Sequence, residues 1–264
     1  MVKARKKYGQ HFLEAAWADK LVDAIAPAAA DRFLEIGPGP GALTLRLAPR
    51  VAALTAVEVD GSMIDSLRSA VPANVTLVHA DFLAFDLAGF ASTPTRVAGN
   101  LPYNVSSPIL FRLLNAHRAG APIVDATLML QREVAERIES GPGTKEFGTL
   151  SVFVQRRARV RRLLSLPPGA FRPAPKVHSA VIRLEFHEPE VAVRDERVFE
   201  GLVRSIFTQR RKTLANALKP FAADRGVDAR AAIGDAGLDG QRRPETLQLA
   251  ELARLADRFP SPST

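Results

Sequence analysis

The segment Asn100-Leu101-Pro102-Tyr103 sets a side-chain amide, an apolar residue, a proline and an aromatic ring directly after the apolar run Val97-Ala98-Gly99. An exocyclic amine on a heterocycle is a weak nucleophile, because its lone pair is delocalised into the ring. Two acceptors that hold its two hydrogens favour the pyramidal, positively charged nitrogen that forms as it is alkylated. The Asn100 side-chain oxygen and the Leu101 carbonyl are candidates for those acceptors. Pro102 biases Leu101 towards extended geometry and so aims its carbonyl. Tyr103 offers a face on which a flipped-out base can stack. Alone, the segment reads first as a helix start with one buried Asn. A nucleoside-binding loop upstream reverses that reading.

Such a loop is present. Phe33-Leu34-Glu35-Ile36-Gly37-Pro38-Gly39-Pro40-Gly41 ends an apolar run and opens a helical stretch. Glycines let the backbone turn tightly and lie against a ligand. The two interleaved prolines remove N–H donors, which suits a pyrophosphate poorly and a nucleoside without phosphates better. The next apolar run ends in Glu58-Val59-Asp60. A carboxylate there can accept from both ribose hydroxyls and repels a 2′-phosphate. The third ends in His79-Ala80-Asp81, where Asp81 is placed for an adenine amino group or, equally, for a turn. Three acids at successive strand ends favour the nucleoside site.

These residues need a scaffold that gathers strand ends. Arg32–Ile36, Leu54–Val59, Val75–His79, Arg96–Gly99 and Ala126–Leu130 read as buried strands. Stretches of helical spacing or strong helix formers lie between them: Ala42–Leu47, Met63–Ala70, Pro108–Asn115 and Glu133–Glu139. The alternation predicts an α/β fold, a Rossmann-like parallel sheet covered on both faces. Val160–Leu164 and Ser179–Phe186, joined by a proline-rich loop without a helix, predict an antiparallel pair at its edge. After Pro189 the pattern turns wholly helical. Val198, Phe199, Leu202, Val203, Ile206 and Phe207 share one face, and Pro244 stands where a helix could start. The expected division is residues 1–189, a cofactor-binding domain, and 190–264, a small all-α domain.

The motifs Gln10-His11-Phe12-Leu13, Glu35 to Gly41, Val57-Glu58-Val59-Asp60, Asn100 to Tyr103 and Phe171-Arg172-Pro173-Ala174-Pro175-Lys176-Val177 occur together in one known order. In this the chain resembles the S-adenosylmethionine-dependent rRNA adenine N6-dimethyltransferases, and most of all the KsgA/RsmA group acting on small-subunit (16S) rRNA. The likeness runs from about Lys7 to Arg258. It implies a class I methyltransferase sheet with a helical RNA-binding domain, and dimethylation of N6 on two adjacent adenosines in the 3′-terminal hairpin loop. It also implies a cytoplasmic, monomeric enzyme linked to ribosome biogenesis. Carried over by motif, His11 and Leu13 contact the cofactor, Gly37 its methionine part, Glu58 the ribose and Asp81 the adenine. Asn100 falls between cofactor and target base, and Tyr103 and Phe171 sandwich the base. His11 departs from the Asn frequent in the family.

Composition is consistent with this. The 264 residues carry 36 Lys plus Arg against 28 Asp plus Glu, a formal charge of +8. Phosphate-rich partners are the first expectation, anionic membrane the second. No apolar run is long enough to span a bilayer, and no apolar stretch follows the basic N-terminus as in a signal peptide. Absent cysteine and five scattered histidines leave no expected metal site. Basic clusters fall at Lys3–Lys7, Arg156–Arg162, Arg210–Lys212 and Arg242–Arg243. A solvated face accounts for an isolated cluster. Beside a base-flipping site, Arg156, Arg157, Arg210, Arg211 and Lys212 become candidates for RNA phosphates. The competing readings are a large-subunit rRNA methyltransferase conferring antibiotic resistance, a DNA or free-nucleoside methyltransferase, a dehydrogenase, and a non-catalytic ribosome assembly factor.

Overall fold

The computed structural model describes residues 10–90 and 92–261. Two compact units emerge. The first holds the described residues through Ala135 together with Ala158–His187, and the second holds Glu136–Arg157 and the chain from Glu188 onward. In chain order the first unit contains β1 (Phe12–Leu13), α1 (Ala15–Ile25), β2 (Arg32–Ile36), α2 (Thr44–Leu47), β3 (Ala53–Glu58), α3 (Gly61–Leu67), β4 (Val75–His79), α4 (Leu87–Phe90), β5 (Thr95–Asn100), α5 (Ser106–Arg118) and β6 (Ile123–Gln131). Helix α6 (Arg132–Glu139) leads out of it to α7 (Thr149–Gln155). The chain then returns through β7 (Ala158–Leu166), β8 (Phe171–Arg172) and β9 (Ser179–Phe186). The remaining helices are α8 (Glu196–Thr208), α9 (Leu214–Ala223), α10 (Ala229–Asp235) and α11 (Leu249–Ala256).

Seven strands form one sheet in the order β4-β3-β2-β5-β6-β9-β7. The first five are parallel, and β9 runs antiparallel to both β6 and β7. The expected edge pair is therefore present. Strand β2 is buried from Phe33 to Ile36, as a central parallel strand requires. At the opposite edge, β7 exposes Arg159, Arg161 and Arg162, charges that discourage further strands from pairing there. Under the sheet, Leu21, Val22 and Ile25 of α1 pack with Phe33, Leu54 and Val181.

Order reverses between β2 and β5. In open α/β sheets a crevice forms at such a reversal, beyond the carboxyl ends of the strands. The registers set Ile36 beside Val57 and Gly99, and Glu58 beside His79. The loops after β2, β3, β4 and β5 thus emerge side by side.

Two features depart from expectation. Helix α1 was not expected, although Ala18, Leu21, Val22 and Ile25 recur at helical spacing, and neither was the two-residue pairing of β1 with β8, Phe12 opposite Arg172 and Leu13 opposite Phe171. The pairing fastens the N-terminal segment to the proline-rich loop. Residues 136–157 also belong with the helical unit, whereas a single division at 189/190 was expected. The reason is apolar packing: Phe147 meets Phe207 edge-on with ring centroids 5.9 Å apart, and Phe153 lies 6.5 Å from Phe199.

Candidate active site

A cleft of about 280 Å³ opens over the carboxyl ends of the parallel strands, close to the lower size of small-molecule sites. Its glycine loop depends on left-handed backbone. Gly37, Gly39 and Gly41 have φ of 68°, 53° and 86°, values that side chains with a Cβ resist. A Cβ at Gly41 would stand 2.4 Å from Leu67 Cδ2, whereas one at Gly37 would meet nothing within 4 Å. Gly37 lines the cleft, so its missing side chain leaves room for a ligand.

Glu58 holds this loop in place. One carboxylate oxygen accepts from the Gly39 N–H at 3.0 Å and the other from the Asp60 N–H at 2.9 Å. Each oxygen keeps a second lone pair for a hydroxyl from the cleft. Asp60 instead caps α3, accepting from the Ser62 N–H and hydroxyl at 3.1 and 2.7 Å. Asp81 is exposed on the cleft wall; one oxygen accepts from Leu83 N–H at 2.9 Å in a turn. Its structural and ligand-facing readings are thus compatible.

Glu35 is the member that residue-type reasoning did not assign. It is 2% exposed, lines the cleft, and its Oε2 has no hydrogen-bond partner. Burial, with the charge of Glu58 adding to it, pushes its carboxyl up to about 7. The available signal was a lone acid inside the apolar run Phe33-Leu34-Glu35-Ile36. Hydrogen bonds from Thr44 oppose that upward shift, and the buried oxygen left without a partner favours a cationic ligand.

At the end of β5, the Asn100 Nδ2 donates to the His11 carbonyl at 2.8 Å. This orients the amide, and among the described residues nothing donates to Asn100 Oδ1. Leu101 is buried, and its N–H donates to Met129 O at 3.2 Å. The Tyr103 hydroxyl hydrogen-bonds Ser179 Oγ at 2.8 Å. Burial holds that phenol above its ordinary range, a shift the Ser179 bond opposes. His11, Leu13, Gly37, Glu58, Asp81, Asn100, Leu101 and Tyr103 therefore all border one cleft.

Phe171 does not. It is wholly buried in the core cluster with Leu13 and Val181, and it presents no face to the cleft. The expectation that it stacks on the base is corrected, because β1–β8 pairing turns it inward. Arg156 and Arg157 are corrected likewise, at 6% and 8% exposure. Glu196 takes both: its Oε2 pairs with Arg156 Nη1 at 2.5 Å, and its Oε1 with Arg157 Nη2 at 2.9 Å. The Arg156 guanidinium also lies 4.5 Å over the Phe199 ring. Their charge is consumed inside the helical unit. Arg211 and Lys212 are exposed and Arg210 half-buried, lining a separate concavity after α8. Arg242 is spent on a two-point pair with Glu251 at 2.6 and 3.0 Å. The cluster Lys3–Lys7 lies outside the described residues.

An open α/β sheet with this strand order, a glycine loop and acids at successive strand ends defines a class I S-adenosylmethionine-dependent methyltransferase. The fold is shared with a dimethyladenosine transferase from Plasmodium falciparum, at TM-score 0.74 and 23% identity over 93% of this chain and 96% of that one. It is shared also with the 23S rRNA methyltransferase ErmE, at TM-score 0.68 and 26% identity over 94% and 99%. The chain matches the model of the ribosomal RNA adenine dimethylases over residues 1–259, and it belongs to that family. It is 46% identical over 264 residues to Ribosomal RNA small subunit methyltransferase A of Pseudomonas fluorescens (strain Pf0-1), covering 97% of this chain and 93% of that relative. The methyl donor is S-adenosylmethionine. The residues present fit it: Gly37 leaves space, Glu58 and Asp81 offer acceptors, and the unpartnered Oε2 of Glu35 suits its positive charge.

Proposed function

We propose that this cleft transfers methyl groups to the exocyclic N6 of two adjacent adenosines in the 3′-terminal hairpin loop of small-subunit (16S) rRNA. The observation that carries the reading is the Asn100 amide, turned by the His11 carbonyl so that its oxygen is left to accept. The cofactor supplies a methyl group activated by a sulfonium. Gly37, Glu58 and Asp81 hold it, and Asn100 Oδ1 and the Leu101 carbonyl take the two hydrogens of the amine. This arrangement favours the cationic nitrogen that develops during attack, so no base has to act beforehand. The amine proton becomes acidic only after alkylation. Tyr103 supplies a stacking face, and Arg210, Arg211 and Lys212 supply phosphate contacts from the helical unit.

The protein acts as a cytoplasmic monomer on the small subunit during its biogenesis. Among the described residues no helix is long and apolar enough to cross a membrane. The test is Asn100→Ala, assayed on small ribosomal subunits that lack the modification. Cofactor affinity by calorimetry stays within a few fold, while turnover falls by about a hundredfold or more, the cost of one lost transition-state acceptor. Near-normal turnover would remove Asn100 from the mechanism.

A further inference from the structure

Five arginines fall between positions 156 and 162, and the first two are spent on Glu196. Arg159 and Arg161 are not. They lie on β7, the last strand in the sheet order, with side chains 77% and 60% exposed. Residues two apart on a strand share a face, so both guanidiniums leave the sheet on the same side. Each comes within 3.9 Å of the same Glu185 carboxylate, which is itself 44% exposed. One carboxylate cannot neutralise two guanidiniums, and pairs this long and this exposed contribute little. The β7–β9 register also sets Arg161 directly opposite Arg183, and like charges so placed destabilise a ladder. Arg183 is turned inward, donating to the Ala24 and Ile25 carbonyls at 3.0 and 2.6 Å. Its neighbouring carboxylate, Asp125, stands 3.8 Å away and accepts from Arg96 at 2.9 to 3.1 Å. The acids of this face are therefore committed, and among the described residues an excess of positive charge is left at the β7 edge.

We propose that Arg159 and Arg161 form a phosphate-binding edge that receives the RNA backbone flanking the target adenosines. The inference rests on reading the cleft as an rRNA adenine N6-methylating site. Strand β7 ends beside that cleft: Leu166 pairs with Ser179, whose hydroxyl bonds the Tyr103 hydroxyl at 2.8 Å. From Leu166 back to Arg161 the strand runs about 17 Å, at about 3.4 Å per residue, a span that a few nucleotides of RNA cover. Arg159 lies about 7 Å further along the same face. The guanidinium fork matches phosphate oxygens in two-point hydrogen bonds, and both side chains are exposed enough to turn towards a ligand. A phosphate here offsets the opposition of Arg161 and Arg183 and replaces the weak pairs to Glu185. Such contacts fix the register of the RNA on the protein without reading its bases. Glu185 is the acid that the RNA must displace, so it opposes binding.

Arg159→Gln combined with Arg161→Gln tests this, because glutamine keeps a polar stem and removes both charges. Binding of the full chain to small ribosomal subunits lacking the modification is measured against salt. Expected are weaker binding, a log–log salt slope flatter by about two, a loss of activity carried by KM rather than kcat, and wild-type cofactor affinity by calorimetry. Glu185→Gln moves the other way, with tighter binding and a lower KM. An unchanged salt slope in the double variant overturns the proposal, since the arginines would then be a solvated edge. A Glu185→Gln variant that binds no tighter than wild type overturns it as well. A fall in kcat with KM unchanged overturns it by placing the effect in the cleft. Loss of affinity for vesicles of anionic phospholipid, with small-subunit binding intact, overturns it in favour of a membrane surface. In all these cases wild-type protein still methylates small-subunit adenosines; wild type that does not overturns the reading of the cleft, and this inference with it.

Discussion

Replacing Glu35 with glutamine measures what it costs this protein to keep a carboxyl in its cleft. Glu35 is 2% exposed, and its Oε2 has no partner. Burial, then the charge of Glu58, raises it from 4.5 to about 7. The unfolded chain therefore gives up this proton first as pH rises. Between about pH 4.5 and 7 the folded state binds more protons, so stability falls with rising pH across that window and then levels off. At about 1.4 kcal/mol per pH unit, the full loss is about 3 kcal/mol. Glutamine keeps the shape and cannot ionise, so any cost of burying its amide is independent of pH. The difference in unfolding free energy between Glu35→Gln and wild type should grow by about 3 kcal/mol in favour of the variant from about pH 4.5 to 8. Urea titrations across that range measure it. Curves that run parallel would refute the reasoning, because the buried carboxyl would then titrate as if solvated. The cofactor's positive charge favours ionised Glu35, so binding near pH 7 should release a proton. Calorimetry in buffers of different ionisation enthalpy detects that release, and the variant should lack it.

Three further outcomes follow from the geometry. Glu196→Ala leaves two buried guanidiniums without their carboxylate and should destabilise the protein by about 3 kcal/mol in urea unfolding; a shift under about 0.5 kcal/mol would mean the pair is solvated. Gly37→Ala forces a side chain into φ of 68° at about 1 kcal/mol and points a methyl group into the open cleft. Calorimetry should show cofactor affinity down at least about tenfold with only a small fall in melting temperature, and wild-type affinity would mean that the ligand lies elsewhere. Changing Arg210, Arg211 and Lys212 together to Glu should weaken small-subunit binding and flatten its salt dependence by about two in log–log slope. Cofactor affinity should not change, and unaltered particle binding would discard that surface.

Much of the scaffold was legible from local pattern. Strands β2, β4 and β9 fall where the apolar runs predict: β2 and β9 are largely buried, as strands covered on both faces must be apolar along their length, whereas β4, expected to be buried, is a part-exposed edge strand. The helical unit was legible after Pro189 from its periodic faces, but residues 136–157, which also belong to it, were not. Helix α1 was missed, and so was the β1–β8 ladder, whose two residues per strand are too short to show any period. The Asn100 tie was not legible either, because its acceptor is a backbone carbonyl and leaves no trace in residue type. Arg156 and Arg157 read as a charge run, yet they follow α7 into the helical unit, where Glu196 and Phe199 claim them.

Sequence by itself determined which chemical groups this protein owns: the amide before Leu101-Pro102, the glycine loop, and the acids at successive strand ends. Those follow from residue type and near-neighbour spacing, which a chain carries without folding. Only the tertiary structure decided which groups face the cleft. It turned Phe171 inward and brought His11 to Asn100 through pairing across most of the first unit. It also left Glu35 buried with its Oε2 unpartnered. Burial and long-range hydrogen bonds decide such outcomes, and both depend on what distant segments place around a residue.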